Sequence, residues 1–283
     1  MSEKRITYKN LGEIFVIEIE PENIKVGTIE NYLPPFNKYV IIKNIYKYPD
    51  RVKEYAESCQ YTNAEKIVQS APVLRSFAPI SNALGNTVIP ALTESFKRKI
   101  IDNRYVYRAT QFSYLDPESI KYNQHQEPHA DGMNTLPLLP TFPHMNSFDE
   151  MMSGQPHPST GKSETIAGVI FLDETFGTEI SINKKNMSYY RSETSGTWGL
   201  PDILQFNNSY YPEGTDSHYE HIITLGGEYN SAIFYYGAVS HRPYYPDASA
   251  EDLKRGRLTH NVWFDDVTPT LTHTPTGTDK NED

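Results

Sequence analysis

Cysteine is nearly absent: Cys59 stands alone among 283 residues. That excludes an internal disulfide and any cysteine-rich zinc site, since both need further cysteines. Basic residues are outnumbered, with 26 Lys and Arg against 36 Asp and Glu, for a formal net charge of -10. Proteins that neutralise nucleic-acid phosphates carry a basic excess, so no nucleic-acid partner is expected. Long apolar runs are missing as well. The run Ile166–Leu172 is far too short to span a bilayer. The opening Met1–Ile6 lacks the apolar stretch of a signal peptide. The expectation is a cytoplasmic chain without a membrane partner. A glycine-rich phosphate loop, a zinc-hydrolase helix and a Ser, Cys or Asp nucleophile motif are also absent, and no internal repeat is found.

What is present fits a globular protein with a sizeable core: 37% hydrophobic, 12% aromatic and 22% charged residues. Residues 1–38 read as an N-terminal extension with one strand-like run, Ile14–Ile19. Tyr39–Ile42 is β-rich and leads to Pro49-Asp50, which suits the first turn of a helix carrying Val52, Tyr55 and Ala56 on one face. A second helix is expected from about Ile89 to Ile101, with Ile89, Leu92, Phe96 and Ile100 at helical spacing and Pro90 in its first turn.

After Asn103 the period becomes two. Strand candidates are Tyr105–Leu115, Thr165–Leu172, Thr178–Ile182, Ile203–Asn207, Tyr219–Leu225, Ser231–Tyr236 and Leu258–Phe264, with turn signals such as Gly226-Gly227 and Pro212-Glu213-Gly214 between them. The fold class is therefore mainly β with N-terminal helices: a sandwich or jelly roll. Residues 133–164, rich in Pro, Met, His and Ser, read as a lid-like insertion. The tail 267–283 reads as disordered.

The string Glu127-Pro128-His129-Ala130-Asp131-Gly132 carries the strongest chemical signal. In a strand, residues i and i+2 share a face, so His129 and Asp131 aim an imidazole and a carboxylate at one point. A histidine from a distant strand would complete a two-histidine, one-carboxylate face, which suits non-haem Fe(II) and leaves coordination positions open. His241 follows an apolar strand and is the candidate. Arg257 opens a later strand, where a guanidinium can grip a carboxylate; Arg242 and Arg255 are rivals. His218 and His221 are spaced to point apart in a strand. His260, three residues beyond Arg257, should face away from it. His144 and His157 lie in the long insertion, with substrate contact as their functional reading. The pairs Tyr189-Tyr190, Tyr210-Tyr211 and Tyr235-Tyr236 read as core and strand features, whereas Tyr244 and Tyr245 are candidates for the pocket mouth.

The order His129-x-Asp131, His241, then Arg257 six residues before Trp263 resembles the Fe(II)/2-oxoglutarate-dependent oxygenase superfamily. The Gly256-Arg257…Trp263-Phe264 ending is similar to its prolyl-hydroxylase-like branch. Tyr39–Ala56, Ala167–Leu172 and Gly177-Thr178 resemble an uncharacterised bacterial family within it. The resemblance covers residues 39–266, taken as a single domain. The interval from His241 to Arg257 exceeds the family's usual spacing, so Asp247–Arg255 is expected to loop out.

The resemblance implies a double-stranded β-helix (jelly-roll) barrel with iron at its mouth. Its implied cofactors are Fe(II), 2-oxoglutarate and O2. The implied metal ligands are His129, Asp131 and His241, with no further catalytic residue. Arg257 would anchor the far carboxylate of 2-oxoglutarate, and a hydroxyl from Tyr114 or Tyr122 is a candidate to share it. The implied reaction hydroxylates a peptide, amino acid or small metabolite while 2-oxoglutarate is decarboxylated to succinate. The alternative is a non-catalytic jelly-roll module that kept the fold.

Overall fold

The computed structural model describes residues 11–30, 32, 36–63, 74–78, 83–102, 110–115, 164–183, 219–237, 239–244 and 256–267. The expected strand Ile203–Asn207, residues 133–163 of the insertion and the tail from 268 onward lie outside these residues, as do 105–109 of the expected strand Tyr105–Leu115.

The described residues form mostly antiparallel sheet, with short helices packed on one side. The large sheet contains β1 (Ile24–Thr28), β2 (Lys38–Lys43), β3 (Thr62–Asn63), β4 (Leu74–Phe77), β5 (Ile100–Asp102), β6 (Thr110–Leu115) and β7 (Glu164–Phe171). The small sheet contains β8 (Thr178–Asn183), β9 (Tyr219–Leu225) and β11 (His241–Pro243). β10 (Ser231–Tyr236) and β12 (Arg257–Asp266) belong to the large one. Its order is β1-β2-β10-β7-β12-β6-β4-β3, with β5 also paired to β12; the small sheet runs β11-β8-β9. From β7 on, the chain alternates between the sheets except at the β8–β9 pair: large, small, small, large, small, large. The segment expected to be a mere extension thus supplies an edge strand, β1, of the large sheet.

The apolar β-branched and aromatic runs in β2, β7 and β10 explain why they lie centrally: both faces of each are covered. Register separates those faces. One side carries Val40, Ile42, Phe112, Ile166, Ile170, Phe234, Tyr236, His260, Val262 and Phe264. It packs on the helices α2 (Pro49–Ser58) and α3 (Ile89–Phe96) and on the N-terminal segment. Tyr236 meets Phe96 with ring centroids 5.4 Å apart, and Phe15 stacks on Phe112 at 6.3 Å. The other side carries Tyr39, Val169, Phe171, Ile233, Tyr235, Arg257 and Thr259 and faces the small sheet.

α2 starts with Pro49 as expected and buries Val52 and Ala56. The second helix is shorter than its periodicity suggests. It stops at Phe96 because Lys97 turns left-handed (φ 56°) and returns its N–H to Thr93 O. Ile100, expected on the helix, instead opens β5 opposite Asp266. The run Ile14–Ile19 is not a regular strand either. Residues Leu11–Ile14 form one helical turn (α1), and Ile17 makes a lone bridge to Tyr46. Burial of Ile14, Phe15 and Ile17 against the sheet uses the run's apolar content without a ladder.

Cys59, just after α2, is half-buried, donates its thiol to Tyr55 O, and has its pKa raised by burial. The β9–β10 turn depends on Gly226, at φ +71°, where a Cβ would lie 2.3 Å from the Phe171 ring. Among the described residues no helix is long and apolar enough to cross a membrane.

Candidate functional site

Arg257 is the first residue of β12 and lies opposite Leu115 of β6. Its position in an antiparallel ladder turns the side chain to the inner side of the large sheet. There it is buried, with the guanidinium carbon 5.4 Å from the centre of the Phe171 ring. Nη2 donates to Thr178 Oγ1 at 3.3 Å, a long bond, and the buried Nε has no hydrogen-bond partner. Among the described residues, no carboxylate forms an ion pair with it. A buried cation with so little compensation is costly unless an anion joins it. The start of β12 is held firmly. Leu258 N–H donates to Asp173 Oδ2 at 3.1 Å, and the other oxygen of Asp173 pairs with Lys53.

Thr178 opens β8 on the facing sheet. Gly177, at φ +86°, precedes it, and a Cβ there would lie 2.5 Å from Leu225 O. Thr178 and Ile180 share one face of β8, and His241 on β11 is the register partner of Ile180. The Arg257 contact and the histidine are thus separated by one same-face step along β8, about 7 Å. The structure brings these two candidates to the same inter-sheet space.

His241 is buried. Its Nδ1–H donates to Val239 O at 2.8 Å. A carbonyl can only accept, so Nδ1 holds a proton and Nε2 is the ring nitrogen left to act as a metal ligand. That is the tautomer a metal-binding imidazole needs, fixed by a main-chain oxygen. Tyr235, from the inner side of β10, meets the ring edge-on at 4.8 Å.

Other candidates fall elsewhere. Tyr114 is the register partner of Leu258, so it points to the opposite face from Arg257; its ring covers Gly256 and lies 6.2 Å from that of Tyr61. Strand alternation therefore separates Tyr114 from the guanidinium it was expected to assist. Arg242 also turns away from the inter-sheet space, pairing with Glu179 at 2.9 Å, and so is no rival to Arg257. His221 is exposed, bonds Thr224 Oγ1 at 2.9 Å and stacks on Tyr244 at 5.7 Å. Tyr235 and Tyr236 point to opposite faces, Tyr235 towards His241 and Tyr236 towards Asp266.

His260 faces away from Arg257, as its spacing requires. Tyr46 Oη lies 2.5 Å from its Nδ1, and Thr110 Oγ1 meets its Nε2. Burial among Phe15, Tyr46 and Phe112 lowers its pKa to about 3.

His129, Asp131, Tyr122, Arg255, His144, His157, His218, Tyr245 and the Tyr189-Tyr190 and Tyr210-Tyr211 pairs lie outside the described residues. Among those described, no group of three or more His, Cys, Asp or Glu side chains is placed to hold a metal. Two participants escaped the sequence reading. Thr259, two residues after Arg257, shares its face, and period-two spacing could have found it. Thr178 touches Arg257 from 79 positions away in the chain, and no local pattern announces such a contact.

Compared with known proteins, the sequence matches no family profile and no curated protein. Among solved structures, the chain is similar to a non-heme alpha ketoglutarate dependent carbocyclase, SnoK, from nogalamycin biosynthesis. The identity is 11% and the TM-score 0.27, over 75% of this chain and 85% of that one.

Proposed function

We propose that the chain is an Fe(II)- and 2-oxoglutarate-dependent oxygenase of the double-stranded β-helix type. The observation that carries this reading is Arg257: a buried guanidinium with an unpartnered Nε, one same-face step from a histidine whose tautomer suits a metal. Arg257 receives the distal carboxylate of 2-oxoglutarate, and Thr178 and Thr259 offer hydroxyls beside it. A carboxylate there supplies the charge the guanidinium lacks, with two N–H groups able to engage it side by side. His241 donates Nε2 to the iron. Tyr235 and Phe171 keep water from the inter-sheet space.

Strand order supports the same reading. In a jelly roll the chain alternates between two sheets. His129 and Asp131 fall between β6 and β7, both strands of the large sheet. Among the described residues β11, which carries His241, has only β8 as a neighbour. His129 and Asp131 are the further ligands of the proposed metal face. Bound Fe(II), with 2-oxoglutarate and O2, supplies oxidation of an unactivated C–H bond and releases succinate and CO2. The substrate class is a peptide, an amino acid or a small metabolite.

Anaerobic addition of Fe(II) and 2-oxoglutarate tests this. A weak visible charge-transfer band, followed by succinate on admitting air, is the expected result. No band and no succinate would leave a non-catalytic jelly-roll module in its place.

A further inference from the structure

β8 and β11 pair antiparallel, with His241 opposite Ile180. In such a ladder the neighbouring pair, Ser181 and Ser240, should exchange two N–H···O bonds. One is made: Ser181 N–H donates to Ser240 O at 3.0 Å. The other is replaced. Ser240 N–H donates to the Tyr32 hydroxyl at 3.1 Å, and that hydroxyl donates to Ser181 O at 2.7 Å. The phenol oxygen is therefore inserted into the rung, bridging the two strands as a water would, but on a buried side chain from a distant part of the chain.

The inserted rung lies next to the histidine. The ring of His241 is oriented by Val239 O, and Ser240 links the two. A change in the Ser240 peptide therefore re-aims Nε2. The hydroxyl of Tyr32 fixes Ser240, Ser240 fixes Val239 O relative to His241, and Val239 O fixes the tautomer and direction of the ring.

We infer that Tyr32 is a positioning residue for His241, setting the aim of its metal-binding nitrogen through the Ser240 peptide. This rests on the metal reading above, and deepens it.

Tyr32→Phe removes one oxygen and leaves the ring in place. Co(II) binding to the apo-protein, followed by its visible bands, should weaken ten- to a hundredfold, the usual effect of removing an outer support of a metal ligand. Tyr46→Phe, which breaks a buried hydroxyl contact on the far side of the large sheet, should leave Co(II) affinity unchanged at a similar loss of melting temperature. Two readouts need no metal. Amide exchange at Ser240 should quicken in Tyr32→Phe, and the 15N imidazole spectrum of His241 should lose its single Nδ1–H tautomer. Wild-type Co(II) affinity in Tyr32→Phe overturns the inference. If the wild-type protein binds no Co(II), the metal reading fails by itself, and exchange and tautomer decide on Tyr32: unchanged values overturn it, altered ones keep it. If Tyr32→Phe does not fold, wild-type exchange decides. A Ser240 amide as slow as its ladder neighbours supports the clamp, and one as fast as an unbonded amide overturns it.

Discussion

The two sides of the large sheet treat the same residue types in opposite ways. On the helix side every polar group named above is answered. Arg98 pairs with the fully buried carboxylate of Asp266 at 2.7 Å, and Tyr236 donates to the same carboxylate at 2.9 Å. His260 has a hydroxyl at each ring nitrogen. On the inner side, Arg257 keeps a buried Nε without a partner, and so does Asn261 Oδ1. His241 there has its Nδ1 proton held by Val239 O. A saturated arginine and histidine hold a fold together. Among the described residues Arg257 has no such return, and the proposed 2-oxoglutarate site rests on that contrast.

The largest expected effect lies on the saturated side. Arg98→Met removes the cation paired with a buried carboxylate and should cost about 3–5 kcal/mol of stability, read by urea denaturation. If the loss is negligible, the contrast between the faces fails. Next comes Arg257→Ala, which should raise the 2-oxoglutarate requirement on the order of a hundredfold, about 2.7 kcal/mol, while Fe(II) binding persists. Equal loss of both would make Arg257 structural.

A third prediction concerns acid. The folded His260 titrates near 3, against 6.5 when unfolded, so it is neutral in the fold. Between those values the unfolded chain holds the extra proton, and stability falls as pH falls. Lowering the pH from 7.5 to about 5 should cost about 2 kcal/mol through this residue. His260→Gln should flatten that slope in denaturation series run at each pH. The smallest effect sharpens the comparison most. Arg257→Met in the ligand-free protein should be neutral or stabilising by about 1 kcal/mol, since it removes a buried charge that has no ion pair among the described residues. A loss comparable to that of Arg98→Met would show that Arg257 is already paid for by the fold.

The sequence made the long central strands readable. β7, β10 and β12 sit within a residue or two of their expected ranges, because continuous apolar or alternating runs leave little choice. Short elements did not show. β11 is three residues long and ends in Pro243, a residue that argues against a strand, and β4 has four residues. Ile100 kept helical spacing and misled, because the stop lay in the backbone angle of Lys97. His241 and Arg257 were legible as residue types in order. Tyr114 was not excluded until register gave its face. Tyr32 had no signal at all, since its partners lie 149 and 208 positions away.

Cys59 has a practical consequence. Its thiol is half-covered, bonded to Tyr55 O and reluctant to ionise, so maleimides and iodoacetamide should reach it slowly. A reporter cysteine introduced at the exposed Glu228 would then take up a fluorophore selectively, with the native sulfhydryl left in place.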